Sequence, residues 1–292
     1  MRVTQLEIYR DFTSNLGDMN ATYNRINRQV SSGKALTQLS DSPAASADLL
    51  SLTDEAANID QYQSSAQTVL YFLTSADSAL NEVNNLVTSV YSKGSQATSE
   101  VMGDNARATL AQEIRSLREQ ILSLANSQIK GRYIFAGSSF DSEPFTLSGD
   151  TVSYVGDSDV NSVQVESGTE VKTGVAGSEA FNTVFSAIGS LLSAIDSNDT
   201  SAIGAALTQF QSAYSDLGLA RGKIGGNMNT IQNVQSLLTD QETNLTARRS
   251  QIEDVDMTQA VVELSQAKTT LNAALSAGGS ILTQRNLFDI LG

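Results

Sequence analysis

The chain has 292 residues, 40% of them apolar, with no Cys, no His, no Trp and only two prolines, Pro43 and Pro144. Without Cys and His there are no disulfides, no thiolate chemistry, few routes to a zinc site and no ordinary general base near neutral pH. The formal charge of −14 argues against a nucleic-acid partner, whose phosphates call for clustered Lys and Arg.

Near the N-terminus, Tyr9, Phe12, Leu16, Met19, Tyr23, Ile26 and Val30 step alternately by three and four residues. That spacing predicts a helix with one apolar seam sustained over three heptads. Gly33 is a natural stop for it. Asp41 and Ser42 are candidate N-caps for the next helix, and Pro43 suits its first turn, where a missing N–H costs nothing. The second seam runs through Leu49, Leu52, Ala56 and Ile59, then Val69, Leu73, Ala76, Leu80, Val83, Val87 and Val90. Unbroken from Pro43 to Tyr91, this helix would measure roughly 70 Å at 1.5 Å per residue. Lys93-Gly94-Ser95 is expected to end it, and Leu110, Ile114, Leu117, Ile121 and Leu124 mark a third.

At Gly131 the period changes. GRYIFAG, TVSYVGD and SVQVESGTEVKTG are short runs rich in aromatic and β-branched residues, bounded by Gly, Ser and Asp. They predict a small antiparallel β domain over 131–180, inserted between helices. Helices are expected again from Asn182. Ile224, Ile231, Leu238, Leu245 and Ile252 recur every seven residues. After Asp254–Asp256 the register shifts to Ala260, Ala267, Ala274, Ile281 and Phe288, with Leu264 and Leu271 beside them; the acidic patch at 253–256 marks a bend or border.

The fold class that follows is mainly α: a long antiparallel coiled-coil rod built from both chain ends, with the β domain inserted. The expected division has three parts. Residues 1–42 and 250–292 form a terminal coiled coil, 43–130 and 181–249 a helical rod, and 131–180 the β domain. Charge divides along similar lines. Residues 1–42 and 250–292 together carry −2, while 131–180 alone carry −6. Two terminal helices have more apolar seam than one pair can bury, and helices depend mainly on tertiary packing. These ends are therefore expected to be frayed in isolation and to fold on neighbours. The first residues, MRVTQLEIYRDF, show no apolar signal region, and no run approaches a membrane span.

Several motif-like strings fail on their chemistry. Asp157, Asp159 and Asn161 mimic the start of a calcium loop, but Ser162 and Gly168 stand where Gly and Glu are needed. Gly33-Lys34 lacks the rest of a phosphate loop. Ser138 and Ser139 have no His to activate them. Asn20, Asn198 and Asn244 head glycosylation-like triplets of the kind that arise by chance, and Glu253 and Asp254 read as a solvated helix face. No catalytic residue, cofactor or metal is expected.

QVSSGKALTQLSDSPAASADLLSL at 29–52 resembles the N-terminal motif shared by bacterial flagellins and flagellar hook-associated proteins. RRSQIEDVDMTQAVVELSQAKTTLNAALSAGGSILTQRNLFDILG at 248–292 resembles their C-terminal motif. GRYIFAGSSFDSEPF at 131–145 and YVGD at 154–157 are similar to the hook-associated protein 3 subgroup, and Ser-Asp-Ser-Pro at 40–43 fits it too.

The resemblance implies a structural flagellar subunit, not an enzyme, with an inner coiled coil, a helical rod and an outward β domain. It implies a ring of copies at the hook–filament junction, with hook-associated protein 1 on the hook side and flagellin on the filament side. It also implies extracellular placement after type III export without a cleaved signal, guided by a cytoplasmic chaperone at the C-terminal end; neither nucleic acid nor membrane is a partner. On this reading Tyr9, Phe12, Leu16, Met19, Tyr23 and Ile26 pack with Leu264, Leu271, Ala274, Ile281 and Phe288 of the same and neighbouring subunits. The contact would be head to tail, the kind that continues into rings or lattices. Ala267, Ala273, Ala274, Ala277, Gly278 and Gly279 would admit close backbone approach. Two alternatives stand beside it: a filament-forming flagellin, and a carboxylate-based hydrolase or sugar-binding β domain.

Overall fold

The computed structural model describes the backbone of residues 2–38 and 40–290, and side chains at Glu7, 9–38 and 40–280. The fold is mainly α. The helices are α1 (Arg2–Ser32), α2 (Pro43–Ala97), α3 (Asp104–Ala125), α4 (Gly177–Asp196), α5 (Thr200–Glu253) and α6 (Met257–Ile290). Between α3 and α4 lie β1 (Gln128–Ile129), β2 (Arg132–Tyr133), β3 (Phe145–Ser148), β4 (Thr151–Tyr154), β5 (Ser162–Glu166) and β6 (Thr169–Lys172). They pair as three separate antiparallel two-stranded ladders, β1–β2, β3–β4 and β5–β6. The chain divides into two compact units: Met1–Ala57 with Gln241–Gly292, and Asn58–Asp240.

In the second unit the seams are core. Val69, Leu73, Ala76, Leu80, Val83, Val87 and Val90 of α2 are buried, as are Ile224, Ile231 and Leu238 of α5. Arg221 Nε donates to Asp77 Oδ1 at 2.8 Å, Tyr214 Oη to Thr88 Oγ1 at 3.3 Å and Gln235 Nε2 to Gln67 Oε1 at 3.4 Å. As one number rises the other falls, so α2 and α5 run antiparallel. Lys93-Gly94-Ser95 does not end α2, which continues to Ala97. The reason is packing: a Cβ at Gly94 would lie 2.8 Å from a Leu191 methyl and 2.9 Å from one of Leu207. The glycine is there to admit two leucines.

One end of this bundle is tied by a buried cation. Arg107 of α3 donates from Nε to the Ala97 carbonyl at 3.2 Å, from Nη2 to the Ser99 carbonyl at 2.8 Å and from Nη1 to Asn198 Oδ1 at 2.6 Å. A single guanidinium thus satisfies the ends of two loops. Arg118, also buried, reaches Asp150 Oδ1 at 2.8 Å and its carbonyl at 3.0 Å, fixing the β3–β4 turn to α3. That contact holds the Asp150 carboxyl below the usual carboxylate range.

The β region packs on α4 through aromatic rings. Phe145 lies 5.4 Å from Phe181, 5.3 Å from Phe185 and 5.0 Å from Tyr154, ring centre to ring centre, and Phe135 lies 4.9 Å from Phe181. Such offset and edge arrangements add to area burial. Helix resumes at Gly177, five residues earlier than Asn182. The Gly177 N–H donates to the Phe135 carbonyl at 2.9 Å, and a Cβ there would strike the Phe145 ring.

The subgroup motif has a structural use. Gly137 sits at φ +69°, and a Cβ there would lie 2.0 Å from the Asp157 carbonyl oxygen. Tyr154 Oη donates to that carbonyl at 2.5 Å, the Asp157 N–H donates to the Ala136 carbonyl at 3.0 Å, and Ser138 Oγ donates to the Asp157 carboxylate. GRYIFAG and YVGD are two halves of one lock. It leaves Asp157 engaged by Ser138, which keeps its pKa below the ordinary value.

Candidate subunit interface

In the unit formed by the chain ends, α1 stops at Gly33 (φ +73°), whose N–H donates to the Gln29 carbonyl at 2.9 Å. The following strap lies across the gap between α5 and α6. Ala35 N–H donates to the Glu253 carbonyl at 2.6 Å, Val255 N–H to the Gly33 carbonyl at 3.0 Å, and Lys34 bridges Asp254 in antiparallel fashion. Lys34 Nζ also ion-pairs with Glu253, which accepts from Arg249 Nε at 2.8 Å. Hydrogen bonds from Lys34 and then Arg249 hold the Glu253 carboxyl below its usual range.

Asp41 does not cap α2. Its Oδ2 accepts from the Gln38 N–H at 2.9 Å and from the N–H and hydroxyl of Thr37, each at 3.1 Å, closing the preceding turn. These bonds, that from Gln38 first, lower its pKa. Ser42 is the cap, facing the Ala45 N–H, with Pro43 first in the helix. Asp256 caps α6 through the N–H groups of Thr258 at 2.9 Å and Gln259 at 3.2 Å.

α1 and α6 then pack antiparallel. Phe12 meets Gly278, Met19 and Ile26 share a groove with Glu263, Ala267 and Thr270, and Lys34 meets Asp254. Of the expected interface residues, Ile26 is buried to 4% exposure. Phe12, Leu16, Met19, Tyr23, Leu264, Leu271 and Ala274 are half-buried, and Tyr9 is 56% exposed. Ile281 and Phe288 lie outside the residues whose side chains are described. The intrachain contact thus brings together Phe12, Met19, Ile26, Ala267 and Gly278, and leaves Tyr9 outside.

Packing here is thin. Among the described residues, the buried apolar side chains of this unit are Ile26, Leu52, Leu245 and Ala260. On α6, Ala260, Ala267, Ala274 and Gly278 share the face turned to α1. Met257, Val261 and Leu275 fall on the adjoining flank at helical spacing, and all three are exposed, with Val262 nearby 62% exposed. The sequence reading missed this flank, although the steps from Met257 to Val261, Leu264, Leu271 and Leu275 carry the helical signal. No helix among the described residues is long and apolar enough to cross a membrane.

Residues 3–139 match the family model of the bacterial flagellin N-terminal helical region, and 200–289 that of the bacterial flagellin C-terminal helical region. The chain belongs to the bacterial flagellin family. The two matches take in α1 to α3 and α5 to α6 of this flagellin-family chain, leaving β3 to β6 and α4 between them. Its homologues include the flagellar hook-associated protein 3 of Escherichia coli K12, 25% identical over 305 residues, 95% of this chain and 96% of the relative. The flagellar hook-associated protein 3 of Salmonella typhimurium LT2 is 24% identical over 94% of this chain and 95% of its own. In fold, the flagellin-family chain is similar to the flagellar hook associated protein-3 of Legionella pneumophila. The TM-score is 0.63 at 14% identity, over 69% of this chain and 98% of that one.

Proposed function

We propose that this chain is a structural subunit of the bacterial flagellum that forms the junction between hook and filament and allows the flagellin filament to assemble. The observation that carries the reading is the exposed apolar flank of α6, Met257, Val261 and Leu275, beside a terminal helix pair with few buried side chains among its described residues. Full burial of such a side chain is worth about 1.5–3 kcal/mol, and covering the exposed half of each gains roughly half of that. The natural cover is another copy, placed head to tail, with its exposed Tyr9 and α1 seam against this flank.

In this reading 1–42 and 250–292 polymerise, 43–130 and 181–249 form the helical middle, and 131–180 face outward. The interface draws on Tyr9, Phe12, Leu16, Met19, Tyr23, Ile26, Leu264, Leu271, Ala274, Ile281 and Phe288. Hook-associated protein 1 sits on the hook side and flagellin on the filament side. An export chaperone holds the C-terminal end before type III secretion to the outside, and no catalysis is involved.

A strain lacking the chain, viewed by electron microscopy, is expected to show hooks without filaments and flagellin lost to the medium. Normal filaments in that strain, or long filaments grown by the pure protein on its own seeds, would overturn the junction role; the second result would make it a filament subunit.

A further inference from the structure

Lys130 and Arg132 flank the turn between β1 and β2, beside a segment, 131–180, that carries −6. Among the described residues neither head group is paired with a carboxylate. Each rests on a ring instead: Lys130 Nζ lies 5.7 Å from the centre of Tyr71, and Arg132 Cζ lies 3.9 Å from that of Phe140. A guanidinium stacked on a ring keeps its in-plane N–H fork available, and stacking limits the side-chain freedom that a ligand contact would remove.

Arg132 lines a groove of about 210 Å³ between α2 and the β5–β6 ladder. Ser64, Ser65, Thr68, Phe72 and Thr173 also line it. Thr68 Oγ1 donates to the Ser64 carbonyl at 2.9 Å and Thr173 Oγ1 to the Asn161 carbonyl at 3.1 Å, so both offer lone pairs as acceptors. The Ser64 and Ser65 hydroxyls make no hydrogen bond among the described residues, and so supply donors. Drug-sized ligands take about 300–1,000 Å³; this groove suits one ring. It is lined by Arg132, by four hydroxyl-bearing side chains and by the apolar Val69, Phe72 and Val163.

We propose that this groove binds a sugar acid, free or as a unit of an acidic polysaccharide. The carboxylate pairs with the Arg132 fork, ring hydroxyls exchange hydrogen bonds with the serines and threonines, and the C–H face of the sugar lies against Phe72. A carboxylate is favoured over a phosphate dianion because both charges of the dianion would enter the groove, where Arg132 is the one lining cation.

Saturation-transfer NMR on the full chain at low salt, with glucuronate, oligoglucuronate, glucose and inorganic phosphate as probes, tests this. Glucuronate is expected to bind and glucose not; added binding of the oligomer supports a polysaccharide source. Arg132→Gln is expected to weaken binding about tenfold or more, and Ser64→Leu, which fills the groove from an exposed helical position, to do the same with an unchanged melting curve. Glucuronate and oligoglucuronate both failing to bind, binding by either variant as tight as that of the parent, or displacement of glucuronate by equimolar phosphate would overturn the proposal.

Discussion

The ring of Phe12 occupies the space that a side chain at Gly278 would need: a Cβ there would lie 2.3 Å from Phe12 Cζ. The closest approach of α1 and α6 therefore depends on one residue having no side chain. Gly278→Val is expected to force the ring aside at about 1–3 kcal/mol, a large loss for so small a core. Cells carrying it should lose filament attachment, while thermal melting of the second unit stays within error of the parent. Attached filaments in these cells would show that the α1–α6 contact tolerates spreading.

Leu271→Asp places a charge on the half-buried seam of α6. The variant should be secreted normally and keep its β region, yet fail to hold filaments. Amide hydrogen exchange adds a second check. Residues 9–32 and 257–280 should exchange fast in the free chain and slowly in assembled flagella; equal protection in both states would refute folding on neighbours.

Arg107→Ala removes three hydrogen bonds from a buried guanidinium and strands the buried Ala97 carbonyl, while that of Ser99 keeps the Met102 N–H. Urea unfolding of the second unit should show a loss of about 2–4 kcal/mol. Arg107→Lys should recover little of it, because an ammonium cannot reproduce the fork.

Glu253 has a depressed pKa in the folded state, so the sign of its pH effect is fixed. Its contribution is complete above the unfolded carboxylate value and disappears as pH falls through the lower, folded one. Exchange protection of 33–38 and 250–256 should fall with acidification, and more gently in Glu253→Gln, which starts lower at neutral pH. Identical profiles would mean that the Lys34 and Arg249 contacts do not hold the strap.

Gly137→Ala meets both a φ of +69° and the backbone of Asp157, neither of which can yield cheaply. The β region should unfold at lower urea than α2 and α5. Gly174→Ala, where the nearest atom would be 3.6 Å away, is the control expected to change little.

Leu73, Leu80, Val87, Ile224 and Ile231 were legible from the sequence because a buried face repeats with the helix. Gly94 misled for the opposite reason: a glycine reads as a stop unless Leu191 and Leu207 are known to lie over it. Arg107 and Arg118 were invisible, since charged residues read as solvated until their partners are seen. Asp41 had the right chemistry for a cap and uses it one turn early. At the terminal pair, the seam of Phe12, Met19 and Ile26 was readable. The flank of Met257, Val261 and Leu275 was not picked out, because it lies exposed beside the seven-residue series of Ala260, Ala267 and Ala274 and not on it.

Between Glu253 and Met257 the helical hydrogen bonding is interrupted, and Asp256 gives α6 a start of its own. Helix propagates readily but nucleates poorly, with a factor on the order of 10⁻³ for each new start. Melting that begins in α6 therefore halts at the gap instead of unzipping α5. Three residues act as a firebreak, letting the last helix gain or lose order while Leu238 and Leu245 stay in place.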